Sequence, residues 1–273
     1  MAVPAADGSH TEKRKMTVSE RTIPALTTAL QEWLASRLAP ARPAVSNVAM
    51  PGNGGLSSTS VLFEASWPGQ AAGHNGRYVA RMAPEPTALP VFPDYDLPLQ
   101  FEVISRVASC CDIPLPALRW NEPDGGVLGS PFFVMDQVDG RIPLDNPPYV
   151  FTGWLLDAAP EERARLQRAS VAILAKVHAI PEPTAKFPGL VPPAGQDALR
   201  HHLTQQEDYY RWALASEGCR VPIIERSLVW LEEHWPSDPG PEVLCRGDAR
   251  IGSTSTCTGR GRSRPCRRSR TCC

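Results

Sequence analysis

The chain has 273 residues, 42% of them hydrophobic and 21% charged, which suffices for one large domain or two lobes around a cleft and excludes a peptide-scale or disulfide-stapled scaffold. Its apolar runs are broken by Pro, Gly or charge before they reach bilayer-spanning length, and the first twenty residues lack the apolar stretch of a secretory signal, so a cytoplasmic protein without a membrane partner is expected. The net charge of -1 hides two unlike pieces: residues 253–273 carry six Arg and no acid, whereas the 252 residues before them carry 22 basic and 29 acidic groups, a balance that argues against nucleic-acid binding by the main body.

Residues 1–21 read as a flexible leader. From Thr22 to Leu38, Leu26, Leu30, Trp33, Leu34 and Leu38 recur at helical spacing behind a Thr22 cap and Pro24, which predicts an amphipathic helix. A Pro-rich link and the Gly-rich stretch PGNGG then lead into Val61, Phe63, Ala65 and Trp67, which alternate with Ser60, Leu62, Glu64 and Ser66 as in a half-buried strand. The turn GHNG returns the chain into RYVARM, where Tyr78, Ala80 and Met82 alternate with Val79 and Arg81. Asp96 and Pro98 open a second helix, with Phe101, Ile104 and Ala108 on its apolar stripe and Glu102 off it. DIPLPALRW and PFFVMDQV, separated by NEPDGG, predict two more strands. After them come helices from Pro160 to a stop at Pro181, with Leu166, Ile173, Leu174 and Val177 on one face, then over 198–215 and 222–234. Val243, Leu244 and Cys245 predict a short buried strand ending in Gly247 and Asp248. Strands first and helices second imply an α+β protein, a small sheet lobe over 22–138 followed by a helical lobe over 139–252.

Four features carry chemistry. Gly54 and Gly55, followed by Ser57 and Ser58, allow backbone N–H groups to approach phosphate oxygens because Gly has no Cβ in the way. Arg81, on the strand that follows, is a fixed cation, and Glu102 on the next helix is a carboxylate able to pair with it and hold it toward a polyphosphate. The apolar run that ends in Met135, Asp136, Gln137 and Val138 leads to a polar exit suited to bordering a flat heterocycle with backbone hydrogen bonds. The fourth is EVLCRGDARIG, which places Asp248 at the end of its apolar segment. Taken singly, each of the first three is also what ordinary surface charge and core packing produce.

In that order, the Gly-rich hairpin, YVARM, helical Glu102, DIPLPALRW, GSPFFVMDQVDG, AKVHAI and GDARIG resemble the aminoglycoside phosphotransferase and choline kinase-like family, in the branch akin to acyl-CoA dehydrogenase-associated kinase domains, over roughly residues 22–252. The resemblance implies a protein-kinase-like bilobal fold and transfer of the γ-phosphoryl of ATP, with Mg²⁺, to a hydroxylated small molecule. It makes Asp248 the catalytic base and puts Arg250 near the developing charge. It gives Arg81 the phosphate-gripping position, makes Glu102 its partner and turns Met135 to Val138 into the adenine hinge. His178 reads as structural packing.

The chain also departs from that pattern. Arg246 stands where His or Trp commonly precedes Gly-Asp, and Ser253 stands where the family has a metal-binding Asn. The second strand with its metal-binding Asp, and the helices after it, have no counterpart in 254–273, so no metal ligand is assigned and uncovered apolar faces are expected on an incomplete helical lobe. The tail uses only Ser, Thr, Cys, Gly, Arg and Pro, as a GC-rich gene read in a shifted frame would, and is expected to be disordered; a functional basic tail is the competing account. Its Cys gaps do not suit zinc, and vicinal Cys110 and Cys111 read as ordinary residues at a helix end. The expected activity is therefore an impaired phosphotransferase, with a non-catalytic nucleotide- or ligand-binding pseudokinase as the alternative; no motif sets an oligomeric state.

Overall fold

The computed structural model describes residues 22–51, 58–84, 91–143, 147–249, 251, 255–256 and 271–272. Helix α1 (Ile23–Arg37) begins where the Thr22 hydroxyl accepts a hydrogen bond from the Ala25 N–H, and it buries Leu26, Leu30, Trp33 and Leu34. Five antiparallel strands follow: β1 (Ala44–Ala49), β2 (Thr59–Ser66), β3 (Gly76–Met82), β4 (Leu118–Glu122) and β5 (Phe132–Asp136). Their spatial order is β1-β2-β3-β5-β4, so the fifth strand lies inside and the fourth at the edge. Between β2 and β3 the chain makes a 3₁₀ turn over Gly69–His74, longer than a tight hairpin, and Asn75 Oδ1 closes it by accepting from the Trp67 N–H at 2.6 Å. The sheet and α2 (Leu97–Cys110) fill residues 44–138 as the strand-strand-helix order predicts.

Strand alternation assigns the two faces of the sheet. Val61, Phe63, Tyr78, Ala80, Phe132 and Val134 are buried with α1 in one core, where the Trp33 ring meets Phe132 at 4.8 Å. Among the described residues Glu122 is the one buried charged residue, 7% exposed. Its Oε2 accepts from Trp33 Nε1 and from Arg37 Nη2, each at 2.7 Å, so α1 is tied to the edge strand by a satisfied charge instead of more apolar surface.

The opposite face carries α2. Asp96 caps it, its Oδ1 accepting from the Leu99 N–H at 2.8 Å, and Phe101 meets Phe133 of β5 at 5.9 Å between ring centroids. Ala108 is exposed and Val107 is buried instead, because the stripe runs 97, 101, 104, 107 around the helix. Val103 and Val107 then enter a second core with Val177, Ile180, Phe187 and Leu244. Helix α2 is thus shared by the two cores.

The helical half contains α3 (Trp154–Asp157), α4 (Pro160–His178), α5 (Pro183–Lys186), α6 (Ala198–Glu217) and α7 (Pro222–Glu233). The short α3 and α5 were not anticipated, since four residues are too few to show a period. No residue of α7 is buried, and Ile223, Val229 and Trp230 are more than half exposed. The strand expected at Val243–Cys245 does not form. Leu244 alone is buried, and no described segment lies beside it to complete a ladder. His178 is exposed, so it does no core packing. Residues 255–256 and 271–272 pair as two-residue strands β6 and β7 (Ser255–Thr256 and Thr271–Cys272); the remainder of the tail, like the leader 1–21, lies outside the described residues apart from Ile251. No helix among the described residues is long and apolar enough to cross a membrane.

Candidate functional site

Register puts two of the sequence-picked residues, Arg81 and Met135, on one face of the sheet, and Asp136 on the other. Arg81 pairs with Phe133 and Val79 with Met135 across β3 and β5, and cross-strand partners share a face. Phe133 touches α2, so Arg81, Val79 and Met135 all lie on the side of the sheet that α2 covers. Ser58 sits half-buried just ahead of β2 on the neighbouring strand. Gly54, Gly55 and Ser57 lie outside the described residues, as does Arg250.

Arg81 is the electrostatic centre of this surface. Among the described residues no hydrogen bond or ion pair of its guanidinium is found, and Nε is sealed from solvent with no partner. Burial pushes its proton affinity below the ordinary arginine range, because a charge removed from water is left uncompensated. The expected pair with Glu102 does not form. Glu102 Oε1 instead accepts from Arg106 Nε at 2.8 Å, one helical turn along α2, where both side chains are about half exposed. An i, i+4 partner on the same helix is always within reach, whereas Arg81 must be met across the helix-sheet gap.

A residue that the sequence reading missed lies in the same row. Asn121 of β4 pairs with Phe133 from its other side, and its Oδ1 is also buried without a partner. An orphaned donor and an orphaned acceptor therefore flank Phe133 beneath α2. The only signal in the sequence was an amide in a short strand, RWNE, and only the register shows which face it takes.

The proposed hinge is more restricted than four residues. The Asp136 N–H donates to the Ala117 carbonyl at 2.9 Å and the Gln137 N–H to the Arg77 carbonyl at 2.8 Å. The Asp136 carboxylate is held by Arg119 through Nε and Nη2, both at 2.6 Å. Among the described residues no hydrogen bond from the Val138 N–H is found.

Asp248 is exposed in a turn after Gly247, whose φ of +79° is a conformation that favours glycine. Leu244, four residues earlier, anchors the turn in the second core against Val107 of α2.

A small antiparallel lobe joined through α2 to a helical lobe, with a half-buried cation on the sheet face that α2 packs against, is the architecture of kinase-like phosphotransferases. Residues 51–254 match the sequence profile of APH, the phosphotransferase enzyme family, and the chain belongs to that family. It is 27% identical over 175 residues to human acyl-CoA dehydrogenase family member 11, and 26% identical over 191 residues to Probable acyl-CoA dehydrogenase IBR3 of Arabidopsis thaliana. Each match covers 64% of this chain and 20% of the relative, so the chain spans about a fifth of those proteins' length. A solved structure from Ralstonia eutropha, assigned as an aminoglycoside phosphotransferase, superimposes with a TM-score of 0.50 at 20% identity. The overlap takes in 85% of this chain and 56% of that one, and it supports the fold.

Proposed function

We propose that the chain binds ATP on the face of the sheet that carries Arg81, and that Asp248 orients the hydroxyl of a small-molecule acceptor toward the γ-phosphoryl group. Arg81, half-buried with its Nε sealed from solvent and no anion beside it among the described residues, carries this reading, since a polyphosphate would supply the missing counter-charge. Gly54, Gly55, Ser57 and Ser58 would line the phosphates with backbone N–H groups, and Met135 with the Val138 N–H would border adenine. Phosphoryl transfer needs positioning and charge stabilisation more than covalent chemistry, so a carboxylate at Asp248 and a cation at Arg250 suit it. The acceptor class is a hydroxylated metabolite such as an amino sugar, a choline-like alcohol or a hydroxyacyl compound.

The family implies Mg²⁺, whose chemistry would be neutralisation of the phosphate charge. The donors present do not make up such a site. Among the described residues no three His, Cys, Asp or Glu side chains gather, and residues 249–273 contain no carboxylate to join Asp248. That mismatch favours slow transfer, and it also supports a second reading, a pseudokinase that binds nucleotide without transferring phosphate.

Purified protein supplied with ATP, Mg²⁺ and a panel of hydroxylated acceptors separates these readings. A phosphorylated product that Asp248→Asn eliminates supports the transferase. Saturable ATP binding with no product supports the pseudokinase. Failure to bind ATP at all defeats both.

A further inference from the structure

Two adjacent thiols, ordinary in sequence, end α2 in unlike surroundings. Cys110, the last residue of the helix, is exposed, whereas Cys111, which follows as its C-cap, is half-buried and packs against the core of Val107, Val177, Ile180, Phe187 and Leu244. We infer that Cys110 and Cys111 are a reversible thiol–disulfide site, closed into a ring by a small disulfide such as oxidised glutathione, and that closure loosens the join between α2 and the second core. Such a site serves the chain equally whether it transfers phosphate or only binds nucleotide.

The chain itself keeps the two thiols within reach, since successive Cα atoms are about 3.8 Å apart across a trans peptide bond. That spacing is shorter than the roughly 4.4 to 6.8 Å at which disulfides ordinarily sit, so a bond between neighbours is strained and is readily reduced again by other thiols. Exposure sets the order of attack. Burial first, and then the neighbouring Cys110, push the Cys111 thiol up, so it stays protonated while the exposed Cys110 meets the oxidant. The Cys110 sulfur, having given its proton to water, attacks one sulfur of the small disulfide, and the other sulfur leaves as a thiolate that takes up a proton. Cys111 then loses its proton, attacks the Cys110 sulfur and expels the second small thiol. Two protein thiols are oxidised, and one disulfide is reduced to two thiols. In the reduced chain the Cys111 N–H closes α2 by donating to the Val107 carbonyl at 2.9 Å, and the Cys111 thiol donates to the Lys176 carbonyl of α4 at 3.6 Å. Turning that sulfur toward the exposed Cys110 breaks the contact with α4 and withdraws the side chain from the core in which Leu244 anchors the Asp248 turn.

Trypsin isolates the pair, because residues 107–119 lie between Arg106 and Arg119 and hold no other cysteine. The reduced full chain is incubated with oxidised glutathione, the remaining thiols are alkylated, and this peptide is weighed by mass spectrometry. It is expected to have lost two hydrogens and to take no alkyl group, and dithiothreitol should restore both thiols. Hydrogen exchange in the oxidised chain is expected to quicken by about tenfold in the last turn of α2 and through residues 243–248, since a lost tether makes local opening easier. Cys110→Ser, a change at an exposed side chain, should abolish both effects and leave exchange in the reduced chain as in the parent. Two alkylatable thiols, a lasting glutathione adduct on either residue, or a bridge from either to another cysteine would overturn the site. A closed ring with unchanged exchange in both segments would overturn the loosening.

Discussion

Arg81→Met is expected to weaken nucleotide binding by roughly 10- to 100-fold while making the protein more stable by about 1 to 3 kcal/mol, because the substitution removes a charge-assisted phosphate contact and a desolvation penalty together. The side chain it replaces is half-buried, has its Nε sealed from solvent without a partner among the described residues, and is pushed down in proton affinity by desolvation alone. Methionine has a similar length and fills the space beside Phe133 without needing a partner. Most binding-site substitutions cost stability or leave it alone, so a higher midpoint in thermal or urea unfolding combined with lost binding is diagnostic. A variant that loses stability would show that the guanidinium is compensated and that the surface is not awaiting an anion.

Glu122→Ala should destabilise the sheet lobe by about 2 to 4 kcal/mol, since it leaves the Trp33 indole N–H buried without a partner and releases Arg37 from the edge strand. Burial alone would raise the proton affinity of this carboxyl. The bonds from Trp33, Arg37 and the Asp124 N–H, together with the Arg37 charge, outweigh burial and hold it below the usual glutamate range. The sign of the pH effect follows. The folded pKa is lower than the unfolded one, so the stabilisation is complete above the unfolded value of about 4.3 and drains away as pH falls through the folded value. Urea unfolding from neutral to acid pH should therefore show the parent approaching the variant on acidification. A gap that stays constant down to the most acid conditions would contradict this account.

Much of the fold could be read from residues whose period survives in short windows. Tyr78, Ala80 and Met82 mark β3 by alternation, and Asp96 with Pro98 marks the start of α2 at the right residue. β1 escaped notice because only Val45 of its six residues is buried, which leaves no alternation to detect. The Val243–Cys245 segment misled because three apolar residues in sequence indicate burial but not a partner strand, and ladders need partners. At the candidate site, residue types were legible while pairing was not. Glu102 and Arg81 are plausible mates by charge, yet the choice between Arg81 across a gap and Arg106 on the same helix is a matter of distance. Asn121 shows the same limit, since its face depends on a register shift between Leu118 and Trp120.

The double loyalty of α2 has a mechanical meaning. Phe101 and Ile104 belong to the sheet core, and Val103 and Val107 to the core that holds Leu244, so the helix cannot tilt or slide without disturbing both. Any ligand that prefers one setting of α2 above the sheet also selects among settings of the segment that presents Asp248. By reciprocity, whatever engages that segment alters affinity at the sheet by the same factor. With Leu97, Phe101 and Ile104 in one core and Val103 and Val107 in the other, α2 is one rod shared by both lobes, so a volume change at Val107 is expected to alter affinity at the Arg81 surface although Val107 touches no ligand there.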